Sequence, residues 1–132
     1  MSVYVDTSAF LAVLNADDRF HAQARTRWRQ LIEAGLPLIC NNYVLVETLA
    51  VLQNRFGMDA VSAFQNDVAP LLTILWVDGD LHQRAMSALL TAQRRNLSLV
   101  DCASFESMRQ AGLRQVFVFD PHFEEQGFEV LS

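Results

Sequence analysis

The sequence predicts an α/β domain built on a central, mostly parallel sheet with helices on both faces. Short β-branched and aromatic runs alternate with helix-length segments. Two of those runs, SVYVD and QVFVFD, end on an acid. Joins between elements are only a few residues long, so the chain winds one sheet continuously instead of dividing into domains. Its 132 residues suffice for one domain, 1–132, and are too few for a comfortable pair. The 52% apolar content excludes a disordered chain, and no run of about 20 residues is free of charge and strong polarity, which excludes a spanning helix.

Ser2 to Val5 reads as a buried strand that delivers Asp6 at its C-terminal end. A first helix follows over about 8–15. Asp17 and Asp18 precede a longer helix, about 19–34, that carries Arg25, Arg27 and Arg29 and stops at Gly35. Leu36 to Cys40 predicts a second strand, and 42–55 a helix with an Asn available as its cap and Gly57 past its end. A helix over about 59–71 leads to a third strand, 73–77. Asp80 is placed to cap a helix reaching Arg94. Residues 97–100 fit an extended approach or a short turn, after which Asp101 occupies the N-cap position of a helix of about ten residues ending before Gly112. Gln115 to Phe119 forms the next strand, closed by Asp120, and 128–131 adds a short edge strand. Right-handed crossovers place the C-terminal strand ends along one rim.

Fifteen acidic against ten basic residues give a net charge of −5, and every basic residue is Arg. That balance argues against indiscriminate binding to nucleic acid or anionic membranes, yet a local Arg cluster can still hold a phosphate backbone. Arg25 and Arg29 share a helical face with Arg27 turned elsewhere; a solvated face accounts for them, and for Arg94 and Arg95. Cys40 and Cys102 lack CxxC spacing and are expected to be buried thiols in a reducing cytosol. The opening MSVYVD has neither the basic start nor the long apolar stretch of a signal peptide, so the expected location is cytoplasmic. His21, His82 and His122 show no metal-ligand spacing, and His122 reads first as an ordinary loop histidine. Phe10, Phe105, Phe117 and Phe119 fit the core.

Four acids carry the chemistry. Asp6 and Asp120 emerge at the same rim, where open α/β sheets place ligands. Glu47 lies inside YVLVETLAVL, with Val44 and Val51 on its face, so its carboxylate is directed toward the body of the protein. Burying that charge needs compensation, and with no Lys in the chain and no Arg in the helix before Arg55, a bound cation is the economical source. Asp101 can turn from its cap toward the same cation, and Ser104 one turn on can hold a water or a ligand oxygen. All-oxygen ligation favours Mg²⁺ or Mn²⁺ over zinc. Such a site suits phosphodiester hydrolysis, with an activated water attacking phosphorus in line and the 3′-oxygen leaving, to give 5′-phosphate and 3′-hydroxyl ends.

The segments VYVDTSAFLAVL, NNYVLVETLAVL, LSLVDCASFESMRQAGL and VFVFDPHFEEQGF resemble, in order and over essentially the whole chain, the PIN domain, and especially the VapC-type toxins of toxin–antitoxin pairs. The resemblance puts the family's acids on Asp6, Glu47, Asp101 and Asp120, and its accompanying hydroxyls on Thr7 or Ser8 and on Ser104. It implies a metal-dependent endoribonuclease acting as a toxin on an RNA substrate, a homodimer, inhibited by a cognate VapB-like antitoxin. Asp6, Asp101 and Asp120 would ligate Mg²⁺ or Mn²⁺, Glu47 would ligate it or orient its water, and Thr7 and Ser104 would contact substrate or support the ligands. Pro121 departs from the basic residue often found after the fourth acid, which would reduce phosphate contact there. The competing reading is a noncatalytic PIN-like RNA- or protein-binding module; loss of an acid would favour it, and all four are present. A haloacid-dehalogenase-type phosphatase would need an aspartate where Ser8 stands and a Lys, a receiver domain would need its lysine, and no GxGxxG or GxxxxGK[ST] loop supports nucleotide binding.

Overall fold

Val3, Tyr4 and Val5 have no solvent exposure in the computed structural model, which describes residues 1–132. Successive strand residues point to opposite faces, so a strand that buries three in a row lies in a sheet covered on both sides. This strand, β1 (Val3–Val5), is central. The chain leaves it for β2 (Leu38–Asn41) and β3 (Leu72–Leu75) on one side, then returns to the other side with β4 (Gln115–Phe117) and β5 (Glu129–Leu131). The order is β3-β2-β1-β4-β5 and every pair is parallel. Winding therefore reverses at β1, and the crevice between the loops after β1 and β4 is the switch point where such sheets bind ligands. Asp6 and Asp120 follow those two strands.

Seven α-helices complete the fold: α1 (Thr7–Leu14), α2 (His21–Glu33), α3 (Asn42–Phe56), α4 (Met58–Ala63), α5 (Gly79–Ala92), α6 (Leu99–Ala111) and α7 (His122–Glu125). Several boundaries differ from expectation, each for a local reason. The single helix expected over 59–71 breaks into α4, a π-helical turn at Phe64–Val68 and a 3₁₀ turn at Ala69–Leu71. Pro70 has no N–H to continue an α-helical ladder, and the wider turn lets both Phe64 and Val68 reach the core. Helix α5 is capped by Asp78 instead of Asp80, with Asp78 Oδ1 accepting from the Leu81 N–H at 2.9 Å. Helix α6 starts before Asp101 and ends on Gly112, whose φ of 70° suits a residue without a side chain. Strand β4 stops at Phe117 because its partner residue, Val5, is the last of β1.

Buried hydroxyls and amides tie helices to the sheet. Tyr4 O–H donates to Ser104 Oγ at 2.9 Å, joining β1 to α6. Asn41 Oδ1 caps α3 through the Val44 N–H at 2.8 Å, while its Nδ2–H donates to Ser107 at 3.1 Å. Phe10 packs edge-on against Phe64 and Trp28, at centroid distances of 5.3 and 6.3 Å; burying such a ring stabilises the fold by roughly 2–3 kcal/mol. Cys40 and Cys102 are buried free thiols, as expected, and burial pushes Cys40 up to about 12, which leaves it inert. No helix is long and apolar enough to cross a membrane.

Candidate active site

Asp6 leaves β1 in extended conformation and caps α1. Its Oδ2 accepts from both the N–H and the O–H of Ser8, at 3.0 and 2.8 Å. The Ser8 oxygen accepts in turn from the Phe119 N–H at 3.0 Å, so one hydroxyl ties the ends of β1 and β4 together. Asp6 is only 4% exposed. Burial lifts its pKa to about 7; the Ser8 hydrogen bonds oppose that rise, and the negative charges of Asp101 and Glu47 add to it.

Asp101 is not an N-cap. Ser98 caps α6, accepting from the Asp101 N–H at 3.0 Å, and Asp101 Oδ2 accepts from the Ser98 N–H at 3.1 Å, a reciprocal capping box. A β-region serine suits the cap position, and the acid three residues on satisfies the cap's own N–H. One Asp101 oxygen is thereby fixed while Oδ1 has no protein partner. Its pKa is raised, chiefly by burial and further by Asp120, against the lowering effect of the Ser98 bonds.

Asp120 closes a short turn in which Oδ1 accepts from the His122 N–H at 2.8 Å, and its side chain is 30% exposed. Glu47 departs from the expectation of a buried carboxylate: it is half-buried, while Val44 and Thr48 make the core contacts of that turn of α3. It makes no side-chain hydrogen bond or ion pair, but its charge reaches Asp6. The negative charges of Asp101 and Glu47 bear on Asp6, and that of Asp120 on Asp101.

The predicted hydroxyls face inward. Ser104 is fully buried as the acceptor for Tyr4, and Thr7, 5% exposed, accepts from Thr48 O–H at 3.3 Å. Both brace helices beneath the acids instead of lining the cleft. Ser8 and Ser98 hold the acids directly, and the S-x-x-D pattern of SLVD is the signal that marks Ser98. His122 is buried, unlike an ordinary loop histidine. In the tautomer its contacts assign, Nε2–H donates to the Asn96 carbonyl at 3.1 Å and Nδ1 accepts from Arg94 at 3.3 Å. Asp101, Asp120 and His122 each offer one ligand atom within 4.8 Å of the others, but both nitrogens of His122 are engaged in bracing.

None of the four acids pairs with an arginine. Asp6 and Asp101, buried carboxylates whose pKa values are raised chiefly by desolvation, stand with the more open Asp120 and Glu47 as an all-oxygen donor set that fits a hard divalent ion.

The PIN domain model matches residues 3–129. With this fold and site, the chain belongs to the PIN-domain family. Among curated proteins, the 23S rRNA-specific endonuclease VapC20 of Mycobacterium tuberculosis is 33% identical over 129 residues, 96% of this chain and 95% of that one. The crystal structure of M. tuberculosis VapC20, described as a sarcin–ricin loop cleaving toxin, matches with a TM-score of 0.83 at 32% identity and covers 96% of both chains. FitAcB from Neisseria gonorrhoeae shares the fold, with a TM-score of 0.72 at 14% identity over 98% of this chain and 96% of its own. So does DNA-bound VapBC from Salmonella typhimurium, at 0.70 and 13% over 99% and 97%.

Proposed function

We propose that this protein is a toxin endoribonuclease, dependent on Mg²⁺ or Mn²⁺, that hydrolyses RNA phosphodiesters to 5′-phosphate and 3′-hydroxyl ends. The observation that carries the reading is the set of four carboxylates at the β1/β4 switch point of a chain 33% identical to a 23S rRNA endonuclease. By the same likeness, the target class is a ribosomal RNA loop and the place of action the cytoplasm.

Asp6, Asp101 and Asp120 would hold the ion. When bound, it supplies charge neutralisation at the phosphate and an acidified water. Asp6 keeps one oxygen fixed by the N–H and O–H of Ser8, and Asp101 one by the Ser98 N–H, so both would enter the reaction already oriented. Glu47, half-buried and unpartnered, would ligate the ion or orient its water. His122, pinned between Asn96 and Arg94, fixes the turn that presents Asp120.

Partners follow the same reading: a cognate VapB-like antitoxin over the acidic cleft, and a second copy of the chain. Val46, Trp76 and Leu90, large apolar side chains left 67, 73 and 60% exposed, are the candidates for contacts with that second copy. The test is incubation of purified protein with an RNA pool containing a 23S sarcin–ricin hairpin, in Mg²⁺ or Mn²⁺, beside EDTA and Asp6→Asn, with 5′ ends mapped. Discrete cuts lost in both controls are expected; cuts that survive either would sink the reading. Light scattering on the same sample reads the oligomeric state.

A further inference from the structure

The cleft beside Asp120 has a wall that the acids do not use. Phe20 lies flat on Phe119, with ring centroids 4.7 Å apart and planes within 10° of parallel. The guanidinium carbon of Arg19 sits over the Phe20 ring, 4.5 Å from its centroid. Phe119 is tied to the acids through its N–H to Ser8 and through its chain neighbour Asp120. The turn presenting Arg19 is set by Asp18, whose Oδ1 accepts from the Phe20 N–H at 2.8 Å and whose carbonyl accepts from the His21 N–H at 3.0 Å. Ser8, Arg19, Phe20, Phe119, Asp120 and Pro121 line the resulting open cavity of about 510 Å³. Phe119, expected in the core, packs against it half-buried, since β4 has already ended and the ring stacks on Phe20.

A chain of net charge −5 with four acids at one rim repels an RNA strand unless a cation stands beside them. Arg94 is near Asp120, but its guanidinium is bound by Glu125 at 2.8 Å and by His122. Arg19 makes no ion pair and no side-chain hydrogen bond in the chain. An arginine stacked on an aromatic ring keeps its N–H edge free and loses less freedom on binding, a geometry suited to a phosphate. We propose that Arg19, held on the Phe20–Phe119 stack, binds an RNA backbone phosphate next to the one that is cut. The proposal rests on the ribonuclease reading and extends it to how the strand is held.

The test is binding of a mixed-sequence pool of fluorescent RNA hairpins in EDTA, where no cutting occurs, titrated across salt for wild type, Arg19→Gln and Arg19→Lys. Arg19→Gln should weaken binding about five- to tenfold at 0.1 M salt and lower the slope of log affinity on log salt by about 0.7–1, while Arg19→Lys keeps most of that slope. Unchanged melting temperatures would confirm that the exposed position is not structural. If wild type binds and Arg19→Gln binds equally with the same slope, the phosphate contact is overturned and the nuclease reading stands. If wild type does not bind the pool, the phosphate contact is overturned, while the nuclease reading is decided separately by metal-dependent cleavage.

Discussion

Asp6 and Asp101 sit in one half of the cluster, 4 and 8% exposed, each with an oxygen committed to a serine-ordered helix start. Asp120 and Glu47 form the other half: Asp120 is bonded only to its own turn, and Glu47 to nothing in the chain. Like side chains have thus been given unlike surroundings. The closed half stores electrostatic cost, since burial raises both of its pKa values, and that stored cost is released when a cation arrives. The open half stays accessible to water and substrate. Position on one rim makes a cluster; the difference in enclosure divides its work.

Substitutions should separate the halves. Asp6→Asn is expected to lower RNA cleavage by about 10³-fold or more, because it removes a charge already fixed for the ion. Asp120→Asn should cost only about 10- to 30-fold, because a more exposed carboxylate is more readily replaced by water. Single-turnover cleavage at saturating Mn²⁺ reads both. Equal losses would break the comparison and make the cluster one undivided site.

The next effect is on stability. In metal-free protein, folded Asp6 holds its proton up to about pH 7, whereas the unfolded carboxyl releases it near its ordinary value of 3.8. Between those pH values the folded state binds more protons, so the stabilisation is complete below the unfolded pKa and is lost as pH rises through about 7. The shift is worth up to about 4 kcal/mol at 1.36 kcal/mol per unit. Urea titrations in EDTA should show stability falling from pH 4 to 7.5, Mn²⁺ restoring it at the upper end, and Asp6→Asn flattening the profile. A metal-free stability that climbs over this range would show that Asp6 does not carry the buried cost.

Ser98→Ala sharpens the comparison by loosening one member of the closed half. It removes the α6 cap, for about 1 kcal/mol, and loosens the turn whose Ser98 N–H, retained in the variant, holds Asp101 Oδ2, for about 10-fold in cleavage. Ser98→Thr should recover most of both. A stability loss without an activity loss would mean that the Ser98 N–H alone keeps Asp101 oriented.

The acids and the sheet were legible because their signals are strong and local. A strand run ending on aspartate at Asp6 and Asp120 needs no knowledge of distant residues to be read, and parallel winding follows from the alternation of elements. What misled was chemistry shared between neighbours. Asp101 resembles a cap when read alone, and only the reciprocal bond with Ser98 identifies it as the third residue of the helix. Glu47 carries a buried-face pattern, yet exposure depends on where α3 borders the crevice. Phe119 continues an alternating run, but strand length is decided by its partner, which ends at Val5. The hydroxyls of Thr7 and Ser104, which the resemblance sets beside the first and third acids, have partners at Thr48 and Tyr4 that no spacing predicts.

The smallest expected effect separates bracing from chemistry. Tyr4→Phe removes one buried hydrogen bond and leaves the Ser104 hydroxyl without its donor, at a cost of about 1–2 kcal/mol. The ring still fills its place in β1, and neither Tyr4 nor Ser104 touches the cleft, so kcat and the salt dependence of RNA binding should stay within twofold of wild type. Tyr4 is nevertheless close enough for the Asp6 charge to help raise its own pKa, after burial and beside the opposing Ser104 bond. If Tyr4→Phe shifts the pH profile of cleavage, the closed half extends one layer deeper than the carboxylates, and the tyrosine hydroxyl belongs to the machinery that sets the charge of Asp6. An unshifted profile with the expected loss of melting temperature confines it to holding α6 against the sheet.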